Sequence, residues 1–246
     1  RGQTYQLMER YEEALKDFTL AIELNSKFGW AIALRGRTYK LMERYEEALK
    51  DFALAIELNP KSDWMIAMRG GTYRLMKRYE EALRDFTLAI ELNFKHDWAM
   101  AGRGEMYLLF GRYREALVDF NHAVESNAKD DWWLYDRAIT YQALGQVEQA
   151  KADLAQALYL AQADYEKDPE DWVNTFNLAL YHLAAKEDEQ AKSFYRDALR
   201  RDAPAPRIRL ALQDLENFLT IFPDHRLARA AHQVLQKELQ KRLALT

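Results

Sequence analysis

Histidines are the side chains of this chain best suited to acid–base or metal chemistry. They are His96, His122, His182, His225 and His232. They form no HExxH or comparable ligand pattern, and the chain has no cysteine to act as a nucleophile, a zinc ligand or a disulfide partner. The glycine-containing stretch 69–72 lacks the lysine of a phosphate-binding loop. The sequence therefore predicts that the protein is not an enzyme and that it uses no catalytic residue, metal or cofactor.

Arginine and aspartate recur at a spacing that favours ion pairs. Each returns every 34 residues, and within a block the two lie sixteen positions apart. The arginines are Arg1, Arg35, Arg69, Arg103 and Arg137, and the aspartates are Asp17, Asp51, Asp85, Asp119 and Asp153. Because a guanidinium can bind a carboxylate through two hydrogen bonds, we expect each pair to meet across a hairpin. In a sixth block Leu178 and Phe194 replace both charges together. This joint loss favours a structural pair over the alternative, in which the arginines bind a ligand.

The elements that must position these residues follow from the same period. Tryptophan stands at Trp30, Trp64, Trp98 and Trp132, each 34 residues after the last. Near-identical copies cover 1–25, 35–59 and 69–93, a looser copy covers 103–127, and a degenerate copy begins at Arg137. Self-similarity at this period is typical of stacked supersecondary units, each packing on its neighbours.

Each block contains the pattern of two helices. In the second helix apolar residues recur at helical spacing, as in Ala48, Leu49, Phe52, Ala55 and Ile56. The segment 59–60 (Asn-Pro) ends that helix, and Asp63 is the expected N-cap of the next one. The short stretch 43–44 between the two helices predicts a tight antiparallel hairpin.

The repeat resembles a known family. The residues that carry the resemblance are Gly36, Tyr39, Tyr45, Ala48, Phe52, Ala55 and Pro60, and their spacing is similar to the signature of the tetratricopeptide repeat. In one departure, the aromatic residue usually found four positions before the glycine is Ile32, and tryptophan lies two residues earlier. The resemblance implies an all-α fold, an α-solenoid in which antiparallel helix pairs form a right-handed superhelix whose first helices line a concave groove.

We expect three segments. Residues 1–164 contain five repeats, of which the first is truncated. Residues 165–205 contain a polar insertion, 165–171, which predicts a longer loop or a helix extension, and a degenerate sixth repeat. Residues 206–246, with helices expected at 207–222 and 224–243, form a C-terminal helical cap, because a repeat array needs an atypical end to cover its last core face.

One stripe of the first helices is the candidate binding site. The residues that would border the groove are Trp30, Arg37, Lys40, Arg44, Trp64, Arg74, Arg78, Trp98, Leu108, Arg112, Trp132 and Tyr135. Two interpretations stay open: the tryptophans pack between repeats, or they anchor a peptide with aromatic and acidic residues. The carboxylate clamp known from some members of the family is not matched, because Ala33, Ala67, Arg37 and Gly71 occupy its positions.

These observations favour a non-catalytic scaffold that binds a peptide or protein segment. The alternative is a ligand-sensing array cut from a larger protein, such as a bacterial STAND-type signalling ATPase, since the chain opens at Arg1 inside a repeat.

With 35 basic and 39 acidic residues the net charge is −4, which gives no general reason to bind nucleic acid. No apolar run long enough for a membrane span and no signal peptide are visible, so we expect no membrane partner and a cytoplasmic location. The sequence does not indicate an oligomeric state.

Overall fold

A computed structural model describes residues 1–244, and within them the chain forms fourteen α-helices and no β-strand. The helices are α1 Gly2–Leu7, α2 Tyr11–Leu24, α3 Gly29–Leu41, α4 Tyr45–Leu58, α5 Asp63–Leu75, α6 Tyr79–Leu92, α7 Asp97–Leu109, α8 Tyr113–Ser126, α9 Asp131–Ala143, α10 Val147–Lys167, α11 Trp172–Ala184, α12 Asp188–Arg200, α13 Ala205–Ile221 and α14 Arg226–Leu243. The all-α fold of paired helices is therefore confirmed. Leu245 and Thr246, the end of the predicted cap, lie outside the described residues.

The chain divides into two compact units, Arg1–Met106 and Tyr107–Thr246, with the boundary inside α7. In the first unit, consecutive helices pack as the hairpins α1–α2, α3–α4 and α5–α6. Phe52 and Ala48 of α4 are fully buried with Ile32 of α3 and Met65 of α5, so each hairpin shares its core with the next. The predicted tight turn is present, since Glu43 between α3 and α4 adopts a left-handed backbone with φ of 58°.

The start of α5 differs by one residue from the prediction. The N-cap is Ser62, whose hydroxyl oxygen accepts a hydrogen bond from the backbone N–H of Met65. Asp63, the predicted cap, is instead the first helical residue. There its carboxylate accepts a hydrogen bond of 2.7 Å from the side-chain amide of Asn93 at the end of α6. The start of α5 is thus tied to the end of α6, the other helix of its hairpin.

The equivalent link is missing one repeat earlier, where glycine stands in place of aspartate. Gly29 begins α3, and a Cβ built there would clash with Oδ1 of Asn59, so any side chain at this position requires the Asn59 side chain to rotate away. That amide oxygen is buried and has no hydrogen-bond partner. Gly29 and Asn59 are thirty residues apart, as are Asp63 and Asn93. The later repeat therefore suggests that an aspartate at position 29 would form the missing hydrogen bond with Asn59.

We expect Gly29→Asp to stabilise the chain by about 1 kcal/mol. Aspartate would replace a helical glycine, place a carboxylate at the positive end of α3 and accept a hydrogen bond from a rotated Asn59 amide. Urea unfolding followed by far-ultraviolet circular dichroism measures the change. Gly29→Ala is the matched control, because it removes the glycine without supplying an acceptor. An aspartate variant less stable than the alanine variant would contradict the expected link.

The predicted arginine–aspartate pairs form within both units. In the first unit Nε of Arg35 lies 2.7 Å and Nη2 2.8 Å from the two carboxylate oxygens of Asp51, and Arg69 holds Asp85 in the same way at 2.7 Å for both bonds. Arg1 contacts Asp17 similarly. The hydrogen bond to its aspartate raises the pKa of Arg69. The pair of Arg103 and Asp119 has one member in each unit.

The second unit repeats the pairing once and then replaces it. Arg137 binds Asp153 through bonds of 2.7 and 2.8 Å. In the α11–α12 hairpin the equivalent Leu178 is fully buried, and the ring of Phe194 stacks on His182 with centroids 5.4 Å apart. Both charges have therefore been exchanged for apolar contacts, in agreement with a structural role.

The later helices follow the predicted breaks in the sequence. The polar insertion is partly a helix extension, because α10 runs to Lys167 and is followed by the turn at 168–171. The last two helices pack against each other, and Pro204 is the N-cap of α13. The division into the three predicted segments stays a prediction. Within residues 1–244 no helix combines the length and the apolar character that crossing a bilayer requires.

Candidate functional site

The first two tryptophans of the predicted row lie against each other. Trp30 is the second residue of α3 and Trp64 the second residue of α5, and their rings stack with centroids 5.1 Å apart and planes 22° apart. Trp30 nevertheless keeps half of its surface exposed. Trp30 and Trp64 thus pack against each other between repeats, and Trp30 still offers an aromatic surface to solvent.

Trp98 holds the corresponding position on α7. Its ring meets the ring of Phe86 edge-on at 5.7 Å, and 36% of the residue is exposed. The close approach of the indole to α5 depends on Gly71, since a Cβ at that position would lie 2.8 Å from Cη2 of Trp98. A residue without a side chain therefore makes room for the third tryptophan.

Lys40 of α3 reaches across α5 towards this tryptophan. Its ammonium lies 5.8 Å from the centroid of the Trp98 ring, within cation–π range, and 3.9 Å from the sulfur of Met68. Burial, followed by the positive charges of Arg74 and Arg37, lowers the pKa of Lys40 to about 8. The ammonium is therefore poorly solvated and surrounded by apolar groups and by like charges.

Two arginines complete the cluster. Nη1 of Arg74 donates to both carboxylate oxygens of Glu105 on α7, at 2.8 and 3.1 Å. Across residues 1–244, neither Lys40 nor Arg37 forms an ion pair with a carboxylate. We call the set Trp30, Trp64, Trp98, Arg37, Lys40 and Arg74 the aromatic–basic surface. It belongs entirely to the first unit and comes from the first helices of three successive repeats.

The predicted arginines at the hairpin turns have local partners instead. Each lies over the ring of a tyrosine five residues earlier and forms an ion pair with a glutamate three residues later. The three sets are Arg44 with Tyr39 and Glu47, Arg78 with Tyr73 and Glu81, and Arg112 with Tyr107 and Glu115. The hydrogen bond from its arginine lowers the pKa of each of these glutamates. Within the first unit, Arg44 and Arg78 thus bind partners of their own hairpins.

The predicted site residues of the second unit are mostly covered. Leu108 and Tyr135 are only 2% exposed, so the expectation that they border a groove was wrong for these two side chains. Tyr135 is covered by Tyr181 of α11, whose ring stacks on it with centroids 4.9 Å apart, and Leu108 lies in the same apolar core. Trp132 is half-buried and packs on both tyrosines, at 5.4 and 6.3 Å. Trp132, at this end of the tryptophan row, thus packs against the apolar core.

Three contributors to the aromatic–basic surface were not assigned to the site from the sequence. Met68 gave no signal beyond its place in the helix. Arg37, Gly71 and Glu105 occupy the same position in three successive repeats, 34 residues apart. The alignment of the repeats therefore showed that this position is a cation in one repeat, glycine in the next and an acid in the third. That change is the signal from which the Arg74–Glu105 pair could have been found. In the described part of the chain no group of three or more histidine, aspartate or glutamate residues is placed to hold a metal ion.

Comparisons with known proteins agree with this architecture. No curated protein matches the chain significantly. Among solved structures, MamA is 14% identical with a TM-score of 0.58, covering 67% of this chain and 96% of its own. YrrB, described as a TPR protein with an unusual peptide-binding site, is 21% identical with a TM-score of 0.54, covering 88% and 97%. The pilF protein of Pseudomonas aeruginosa is 15% identical with a TM-score of 0.62, covering 84% and 90%.

At these identities the structural likeness shows the fold alone, and the sequence match decides the family. A model of the tetratricopeptide repeat matches residues 1–28, 31–62, 65–96 and 134–164, which together are half of the chain. The matched segments follow the 34-residue period in the first unit and include the α9–α10 hairpin in the second. With its helix pairs and its repeated sequence, the chain belongs to the tetratricopeptide repeat family.

Proposed function

We propose that this protein is a non-catalytic scaffold that binds a peptide or protein segment on the aromatic–basic surface. One observation carries the proposal: tryptophans that keep at least part of their surface in solvent stand on three successive first helices, beside two cations without carboxylate partners. Membership of a repeat family of interaction scaffolds supports a binding role. The peptide-binding site for which YrrB is described supports a peptide as the type of ligand.

The chemistry of the surface indicates the kind of segment that would fit. Indole rings supply a large apolar contact area at a small cost in side-chain entropy, which is why tryptophan is enriched among binding hot spots. Lys40 and Arg37 favour negative charge next to that area. A segment with aromatic and acidic residues, extended or helical, would satisfy both features.

We expect the double variant Trp30→Ala/Trp64→Ala to weaken peptide binding at least about tenfold, because it removes a stacked pair of anchors. A peptide array identifies ligands, and fluorescence anisotropy of a labelled ligand measures the affinity. Tyr159→Ala is the matched control, since Tyr159 is an aromatic residue of the second unit with 70% of its surface exposed. Unchanged affinity in a double variant with unchanged circular dichroism would count against the surface as the binding site.

The alternative role in a larger signalling ATPase stays a prediction from the sequence, and so does the cytoplasmic location. No feature of residues 1–244 favours the sensing array over the binding scaffold. Binding of a segment is common to both roles, so the tryptophan experiment applies to either.

A further inference from the structure

Lys40 is the most unusual charged residue of the first unit. A buried ammonium is normally paired, because removing it from water without a counter-ion is costly. Here the ammonium contacts the Met68 sulfur at 3.9 Å and lies 5.8 Å from the centroid of the Trp98 ring. Both are weak substitutes for a carboxylate. Lys40 as a whole residue is half-buried, so part of its side chain stays open to solvent.

The helices that surround Lys40 contribute more positive than negative charge. Arg37 comes from α3, Arg74 from α5 and Glu105 from α7, and Tyr45 of α4 lies within the field of Arg74. Glu105 is bound to Arg74 and neutralises it. Two positive charges, Lys40 and Arg37, are left without a counter-ion among the described residues. The cluster therefore lacks an anion.

We infer that Lys40, which lies near the positive charge of Arg37 and over the ring of Trp98, is the receptor for a single carboxylate of the bound segment. This inference rests on the proposed function and specifies what the aromatic–basic surface selects. An unmodified protein segment carries its negative charge on aspartate and glutamate carboxylates, so a carboxylate is the anion assigned to the site. An aspartate or glutamate side chain next to an aromatic residue would place its carboxylate on Lys40 while the ring packs on the tryptophans.

Such binding has a signature in pH. In the free protein Lys40 has a pKa of about 8, so it loses its proton above that pH. A bound carboxylate stabilises the charged form and raises the pKa towards the usual value of about 10.4. The complex therefore binds more protons than the free protein between these values, and affinity must fall as pH rises. We expect a loss of at least about tenfold between about pH 7 and about pH 9.5.

Three peptide pools test the carboxylate assignment. All peptides are acetylated at the N-terminus, amidated at the C-terminus and free of Lys, Cys and Tyr, and each contains a Phe or Trp. The first pool carries Asp or Glu, the second carries Asn or Gln at the same positions, and the third carries phosphoserine there. We expect the full chain to retain the acidic pool at least about tenfold better than the amide pool. Stronger retention of the phosphoserine pool would overturn the carboxylate assignment in favour of phosphate.

Two variants of the same residue separate charge from shape. Lys40→Met removes the charge in a side chain of similar length, and we expect it to abolish the preference for acid over amide. Lys40→Arg keeps a charge that does not titrate in this range, so its affinity for the best acidic peptide should not change between about pH 7 and about pH 9.5. A wild-type affinity that is equally flat with pH would overturn the role of Lys40, and so would an acid preference that survives in Lys40→Met.

The outcomes distinguish the two proposals. If the acidic and amide pools bind equally well and Trp30→Ala/Trp64→Ala weakens the binding of both, peptide binding on the aromatic–basic surface is supported. The same result contradicts the role of Lys40 as a carboxylate receptor. If no pool binds, the proposed function fails and the inference fails with it. Circular dichroism of Lys40→Met should equal that of the wild type, because the substitution removes a poorly solvated charge and no ion pair.

Discussion

Arg69→Leu should lower the free energy of unfolding by about 3 kcal/mol, the low end of the cost of breaking a buried ion pair. The substitution removes both hydrogen bonds from Asp85, which is only 6% exposed, and leaves its carboxylate buried without a counter-ion. Leucine is apolar and fills much of the same space, so most of the loss comes from the charge left behind. Urea unfolding followed by far-ultraviolet circular dichroism gives the free energy.

The double variant Arg69→Leu/Asp85→Phe should recover most of that loss. It copies Leu178 and Phe194, which occupy these positions in the α11–α12 hairpin and pack there without charge. The two substitutions are therefore expected to be coupled by about 2 kcal/mol in a double-mutant cycle. Lys151→Ala is the control for charge removal, since Lys151 and Glu148 form an exposed pair on α10 whose loss should cost less than about 1 kcal/mol. Additive effects of the two substitutions would show that Arg69 and Asp85 do not stabilise the fold as a pair.

These pairs were predictable because everything that forms them lies in one hairpin. The two helices of a repeat are joined by a short turn, so residues at similar distances on either side of it must meet. Arg35 and Asp51 satisfy this condition from the sequence alone, and local helix patterns predicted the helix pairs. The polar insertion left both a longer loop and a helix extension open, and the extension of α10 is what the structure shows. Boundaries were less certain: Asp63 and the N-cap Ser62 are neighbours, and both residue types suit that position.

The surroundings of Lys40 were not predictable, because they depend on three helices from three repeats. The sequence places Lys40 on the same stripe as Trp30, but it does not show that Gly71 lets Trp98 approach the ammonium. The turn arginines are the opposite case. An arginine three residues before a glutamate at a helix start favours a local ion pair. On this ground Arg44, which pairs with Glu47, could have been left out of the predicted binding site.

The burial of Tyr135 was missed for a third reason. Its cover, Tyr181, comes from a hairpin that follows the insertion, where the repeat has degenerated and the 34-residue alignment no longer holds. Periodicity predicts contacts only between repeats that keep it. A residue whose environment is supplied by an irregular neighbour therefore looks exposed in the sequence and is buried in the fold.

Tyr181→Ala should destabilise the second unit by about 4 kcal/mol, as expected for a fully buried aromatic side chain. The ring of Tyr181 has no exposed surface, stacks on Tyr135 and contacts Trp132. Its removal leaves a cavity that helices on both sides cannot easily close. Urea unfolding measures the loss, and Tyr159→Ala on the exposed side of α10 should change stability by less than about 0.5 kcal/mol. A loss equally small for Tyr181→Ala would mean that the ring does not support this core.

Tyr181→Phe divides the effect into packing and hydrogen bonding. The hydroxyl of Tyr181 donates to Oδ2 of Asp131 at 2.8 Å. Burial raises the pKa of Asp131, and the hydrogen bond from Tyr181 opposes that shift. Without the hydroxyl the carboxylate loses a donor, so we expect a cost of about 1–2 kcal/mol near neutral pH. Because the pKa of Asp131 then rises further in the folded state, protonation at lower pH relieves part of the cost. The gap between Tyr181→Phe and the wild type should therefore narrow as pH falls, whereas a cost from packing alone would be the same at every pH.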